Sequence, residues 1–118
     1  MPVALPSCSY FLSIPYTPAR KMIDNGLPLA LATYYNPGST PSGNMNFVIA
    51  TACNKLKMTP EEAINATTIM GLENQVGSIT KGKRANLILT KPIESIASIP
   101  YNFGSNKIEK VFLKGKEV

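Results

Sequence analysis

Apolar residues recur along this chain in two rhythms, short unbroken runs and a spacing of three to four, and together they predict alternating strands and helices. The run Pro28-Leu29-Ala30-Leu31-Ala32-Thr33 is small, uncharged and almost wholly apolar. It fits a short strand buried on both faces, as in a parallel sheet. Val3-Ala4-Leu5 has the same character and predicts a briefer strand. Between the two, Ala19, Met22 and Ile23 recur at helical spacing. Strand, helix, strand makes a βαβ unit, whose crossover is expected to be right-handed. Downstream, Met45, Ile49, Cys53 and Leu56 mark one face of a helix over Asn44 to Lys57, with Ala50 and Ala52 small enough for close packing. Met45 and Phe47 are expected in the core. Ala85 to Thr90 and Ile108 to Leu113 predict strands, and Lys114-Gly115 turns the second towards a stub at Lys116 to Val118.

Capping residues sharpen these boundaries. Thr17-Pro18 is a helix start, with Thr17 as N-cap and Pro18 at the first helical position, where its missing N–H is not needed. Gly26 after Asn25 is a C-cap signal. Thr59-Pro60-Glu61-Glu62 has the form of a capping box. Capping and compensation of the helix dipole therefore explain Glu61 and Glu62 better than a general-acid pair does. Ser9 to Tyr16 is expected as a loop whose Tyr10, Phe11 and Tyr16 pack over the core, and Pro92 to Asn106 as a second loop. After the strand at Pro28 comes a stretch rich in Asn, Pro, Gly and Ser, ending at Gly43. In α/β folds the residues just past the carboxyl end of such a strand carry the chemistry. Thr33 to Ser39 is thus the candidate site.

Composition narrows the classes. At 118 residues the chain is far short of the ~250 of a complete (β/α)₈ barrel. It has no apolar run of about 18 residues, so no membrane-spanning helix is expected, and its amino end lacks the basic start and long apolar core of a signal peptide. A cytoplasmic protein is the expectation. Histidine is absent altogether, and the two cysteines, Cys8 and Cys53, are far apart. A catalytic zinc takes three protein ligands from His, Cys, Asp or Glu, so no metal site is expected from this chain, and the two thiols are expected reduced and buried. The net charge is +5, with Lys81, Lys83 and Arg84 forming one basic group and Lys107, Lys110, Lys114 and Lys116 another. These fall at turns and alternate strand positions with few aromatics between them, which argues against a nucleic-acid surface.

The sequence Ala32-Thr33-Tyr34-Tyr35-Asn36-Pro37-Gly38-Ser39-Thr40-Pro41 resembles the end of the last barrel strand in the imidazolonepropionase family of metal-dependent amidohydrolases, whose pattern there is Ala-Thr-Asp-x-Asn-Pro-Gly-Ser/Thr-Ser/Thr-Pro. Leu56-Lys57-Met58-Thr59-Pro60-Glu61-Glu62-Ala63-Ile64 and Pro100-Tyr101-Asn102-Phe103-Gly104 are also family-like. Val76 to Leu89 resembles the passage where such chains leave the barrel for a small β-sandwich, although relatives often carry Asp at the Asn86 position. The resemblance covers almost all of this chain and the carboxyl-terminal third or so of the family's usual length. It implies an α/β fold: a partial (β/α) barrel corner, the βαβ unit plus two helices, over residues 1–75, then a few antiparallel strands of a partial β-sandwich over 76–118.

The resemblance implies the family activity, hydrolysis of 4-imidazolone-5-propanoate to N-formimidoyl-glutamate in histidine degradation with zinc or iron. Asn36, Gly38 and Ser39 match positions that contact the substrate or product. Two departures stand against the chemistry. Tyr34 replaces the Asp that ligates the metal and handles the proton of the attacking water; a phenol, with a reference pKa of about 10, is a neutral group at pH 7. The run Ala66 to Leu72 lacks about five residues relative to the family, enough at ~1.5 Å per residue to shift and rotate the next segment of the chain. The expectation is a catalytically dead, imidazolonepropionase-like chain without a cofactor. The alternative is a non-catalytic small-ligand-binding or assembly module, in which open strand edges and apolar faces, expected at Val3 and Leu29, favour a homo-oligomer or a sheet-completing partner.

Overall fold

Two small sheets and five helices organise the described residues, 1–66 and 71–118, of the computed structural model. The first sheet holds β1 (Val3–Ala4) and β2 (Ala30–Leu31), parallel, with Val3 opposite Ala30 and Ala4 opposite Leu31. Two helices lie between them in the chain, α1 (Pro6–Leu12) and α2 (Ala19–Asp24), followed after β2 by α3 (Met45–Lys55) and α4 (Pro60–Ala66). The second sheet is antiparallel in the order β3 (Leu87–Thr90), β4 (Ile108–Leu113), β5 (Lys116–Glu117), with a one-turn helix α5 (Ser98–Tyr101) between β3 and β4. The fold is therefore mixed α/β, with the βαβ order expected from the apolar runs. The shortened run at Ala66 to Leu72 falls mainly on 67–70, outside the described residues.

One core joins β1 and β2 to α2, α3 and α4. It contains Ala4, Ala19, Leu29, Leu31, Val48, Ile49, Ala52, Leu56, Met58, Ala63 and Ala66. The buried stripe of α3 is centred on Val48 and Ala52, both fully buried, with Ile49 and Leu56 beside them. Met45 and Cys53 pack only at its margin, so the predicted stripe is offset by about one position. Leu29 is a correction: it was expected on an exposed face but is 4% exposed and sits in the core, while Val3 is half exposed. Leu29 shares that core with Ala19 of α2, Val48, Ile49 and Ala52 of α3, and Ala63 and Ala66 of α4.

The helix ends show which local signals hold. At α2 the Leu27 N–H reaches the Met22 carbonyl (3.0 Å), the Gly26 N–H reaches that of Ile23 (2.9 Å), and Gly26 has φ +72°. This is a Schellman closure, which needs the left-handed residue that glycine supplies. The start of α2 differs from expectation. Pro18 is the N-cap and makes no side-chain bond, and the Ala19 N–H is taken by the Thr17 backbone carbonyl at 2.7 Å, so the Thr17 hydroxyl is not the cap. The capping box at α4 is made in both directions: Thr59 N–H to Glu62 Oε2 (2.8 Å) and Glu62 N–H to Thr59 Oγ1 (3.2 Å).

Two helices fall where loops were expected. α1 begins at Pro6, which is preset for a first helical turn, and stops at Ser13, which adopts φ +54°. Its seven residues are too few to display a periodicity. It buries Ser7, Cys8 and Ser9 and turns Tyr10 and Phe11 outward, half exposed, instead of laying them over the core; Tyr16 alone of the three aromatics packs against it. α5 tolerates Pro100 because an N–H in the first turn has no partner to lose.

Candidate functional site

The Thr33–Gly43 loop leaves the carboxyl end of β2. Its base is tied to α1, where the fully buried Ser7 donates its hydroxyl to the Thr33 carbonyl at 2.8 Å. Tyr34 then takes φ +53°, a left-handed conformation uncommon for a residue of this size. The bend puts Tyr34 and Tyr35 on the surface, 52% and 69% exposed. Beyond them the chain closes a tight reversal: Asn36 N–H to the Thr40 carbonyl at 3.0 Å and Thr40 N–H to the Asn36 carbonyl at 3.2 Å.

Asn36 holds this reversal together with its side chain. Its Oδ1 accepts from the Gly38 N–H (3.0 Å), the Ser39 N–H (2.9 Å) and the Ser39 hydroxyl (3.0 Å). Its Nδ2 donates to the Tyr34 carbonyl and to Ser39 Oγ, both at 2.7 Å. Asparagine suits such a turn because its short amide can bond the backbone two and three residues on. The structure thus brings Asn36, Gly38 and Ser39 together, as the sequence motif implies, but directs them at one another. Thr40 is fully buried, and its Oγ1 has no hydrogen-bond partner.

A divalent cation does not fit this donor set. Ligation needs oxygen or nitrogen lone pairs free to face the ion, ideally with negative charge. The one amide oxygen here already accepts three hydrogen bonds, Tyr34 presents a phenol to solvent, and the Thr40 hydroxyl is neutral. Among the described residues no group of three or more His, Cys, Asp and Glu side chains lies together. The grooves of about 560, 690 and 570 Å³ are lined by other residues, and none includes Tyr34, Asn36, Gly38 or Ser39.

The amidohydrolase family profile matches residues 11–118. This chain belongs to the amidohydrolase family. It is 74% identical to an imidazolonepropionase of Flavobacterium johnsoniae over 121 residues, 98% of this chain and 29% of the relative. It is 70% identical to an imidazolonepropionase of Flavobacterium psychrophilum and 65% to one of Christiangramia forsetii, with the same two coverages. The resemblance read from the Asn-Pro-Gly loop is borne out, and the chain spans under a third of the length of these relatives. The aligned stretch is longer than the part of this chain within it, as a shortening relative to the relatives requires.

Two groupings escaped sequence reasoning. Arg20 of α2 meets Glu62 of α4 through both guanidinium arms (2.9 and 3.1 Å) and also binds Asp24 at 2.8 Å. The Arg20 pairing, then the Thr59 N–H, holds the Glu62 carboxyl below its ordinary range. Tyr10, Phe11, Phe47 and Phe103 form an aromatic cluster, with ring centroids 5.3 Å apart for Tyr10–Phe47 and 6.0 Å for Phe47–Phe103. Phe47 was expected in the core and lies in this half-buried cluster. The decisive contacts, Arg20 with Glu62 and Tyr10 with Phe47 and Phe103, join residues tens of positions apart, so no local pattern announces them.

Proposed function

We propose that this chain carries the substrate-side loop of an imidazolonepropionase-like site on a barrel corner, residues 1–75, joined to partial sandwich strands, 76–118, and that by itself it does not hydrolyse the imidazolone ring. The observation that carries this reading is Tyr34. At the place where the family pattern has a carboxylate, this chain presents an exposed phenol on a left-handed bend. Opening the ring requires water to lose a proton as it attacks, and so needs a base or a charged Lewis acid beside it. No carboxylate or imidazole stands in the loop, and the sequence contains no histidine.

The loop keeps room for a small ligand at Gly38, one that would have to compete with Asn36 for the Gly38 and Ser39 N–H groups. Gly38 is not demanded by the turn: a Cβ there would meet Asn36 Oδ1 at 3.5 Å, an ordinary contact. A glycine without a steric duty leaves room for a ligand to approach the backbone closely. This favours a retained binding role for Asn36, Gly38 and Ser39 as the second reading. One pair of experiments separates the readings. The purified chain is incubated with 4-imidazolone-5-propanoate in the presence of zinc or ferrous iron. The expected result is no loss of substrate above background, and loss abolished by a chelator overturns the proposal. In parallel, the amide signals of Gly38 and Ser39 are followed by NMR while substrate is added; saturable shifts support retained binding, and their absence removes it.

A further inference from the structure

The hydrogen bonds of the first sheet leave one strand edge unused. The Ala30 N–H bonds the Pro2 carbonyl at 3.0 Å, and the Ala32 N–H bonds the Ala4 carbonyl at 3.2 Å. Parallel pairing uses every second residue of a strand. The N–H and C=O of Leu31, which stands opposite Ala4, therefore point away from β1. Neither group meets a hydrogen-bond partner among the described residues. Leu31 is only 5% exposed, which leaves little water to take those bonds instead. Buried backbone groups without a partner are rare in folded proteins. Val3 turns its own N–H and C=O to the far edge of β1, but it is half exposed and water can satisfy them.

The sheet is also too small to be complete. It has two parallel strands of two residues each, whereas parallel sheets ordinarily carry several strands with both faces covered. Residues 25–54, which hold β2 and its neighbours in sequence, contain no Asp, Glu, Lys or Arg. The edge of β2 thus lacks the charged side chains by which proteins discourage a further strand. The relatives supply the missing length. This chain matches 29% of each of three imidazolonepropionases over 98% of its own residues, so most of each relative lies outside the matched stretch.

We propose that the outer edge of β2 takes up a further strand, parallel to β2, from the part of an imidazolonepropionase-length chain that lies outside the stretch matched here. Main-chain hydrogen bonds to the Leu31 N–H and C=O carry the contact, as they do wherever an extended segment adds to a sheet edge. The added strand runs parallel because β1 and β2 already do, and sheets of one sense are favoured over mixed ones. Its side chains are apolar, since an uncharged edge has no ion to offer a charged one.

The test uses no substrate, so its failure is separate from any failure of the reading that this chain does not hydrolyse the ring. In the free chain, hydrogen-exchange NMR is expected to show the Leu31 amide exchanging faster than those of Ala30 and Ala32, which are bonded. Equal rates at the three positions overturn the proposal. The isotope-labelled chain is then produced together with the Flavobacterium johnsoniae imidazolonepropionase from which the matched stretch has been deleted. A complex of one copy of each is expected on gel filtration, with Leu31 exchange slowed by about tenfold or more and Ala30 changed less. No complex, whether the shortened relative is soluble or aggregated, overturns the proposal. A complex that leaves the Leu31 amide as fast as in the free chain overturns it too, because the contact then lies elsewhere.

Discussion

Arg20 and Glu62, 42 residues apart in the chain, meet in a two-pronged ion pair that fastens α2 to α4. The same carboxylate accepts the Thr59 N–H, so one side chain both caps its helix and anchors it to a neighbour. Its pKa is lowered in the fold by Arg20 first and Thr59 second. A lowered native pKa means that the folded state favours the ionised form. The stabilisation is complete above the unfolded value of about 4.3 and is lost as the pH falls through the lower native one. The melting temperature is expected to decline between pH 5 and pH 3, and Glu62→Gln is expected to flatten part of that decline while lowering stability at pH 7. Partial exposure keeps the effect modest, since screened pairs contribute little. Identical pH profiles for the two proteins would contradict the assignment.

Tyr34 is held at φ +53° with its ring half exposed. The left-handed region costs a non-glycine residue roughly 1–2 kcal/mol. Tyr34→Gly removes that strain and gains unfolded-state freedom, so its stability is expected within about 1 kcal/mol of the parent. Tyr34→Val, β-branched at the same bend, is expected to be less stable than Tyr34→Gly. Chemical denaturation curves of the two variants decide the order.

Asn36 makes five side-chain hydrogen bonds within its loop. Asn36→Ala is expected to lose about 1–2 kcal/mol, because several modest bonds go at once in a partly solvated place. Amide exchange at Gly38 and Ser39 should quicken. Asn36→Asp keeps an acceptor for those two N–H groups and loses the donor to Tyr34, so it should protect the amides better than alanine does. Hydrogen-exchange NMR reads all three proteins.

Val48 has no exposed surface and lies at the centre of the α3 stripe. Val48→Ala removes two methyl groups from the core and is expected to cost about 2–3 kcal/mol. Met45→Ala, at the margin, should cost less. Their melting temperatures compare the two positions directly and check where the helix faces its core.

Local chemistry made much of this legible from residues alone. The apolar run through Ala30–Leu31 announced a strand, Gly26 a helix end, and Thr59 with Glu62 a reciprocal cap, because each depends on neighbours a few positions away. The Asn-Pro-Gly loop was equally plain, and its resemblance named the family. What could not be read was α1, too short to show a period, and the outward turn of Tyr10 and Phe11.

By itself the sequence determined the order of the strands and of α2, α3 and α4, the family, and the want of a carboxylate or imidazole at Tyr34, since these are properties of residue type and spacing. Only the tertiary structure decided that Asn36 is spent on its own loop, that Arg20 clasps Glu62, and that Leu29 is covered while Phe11 is left open. Those outcomes depend on which distant surfaces meet, and the side chains that settle them carry no local mark of their partners.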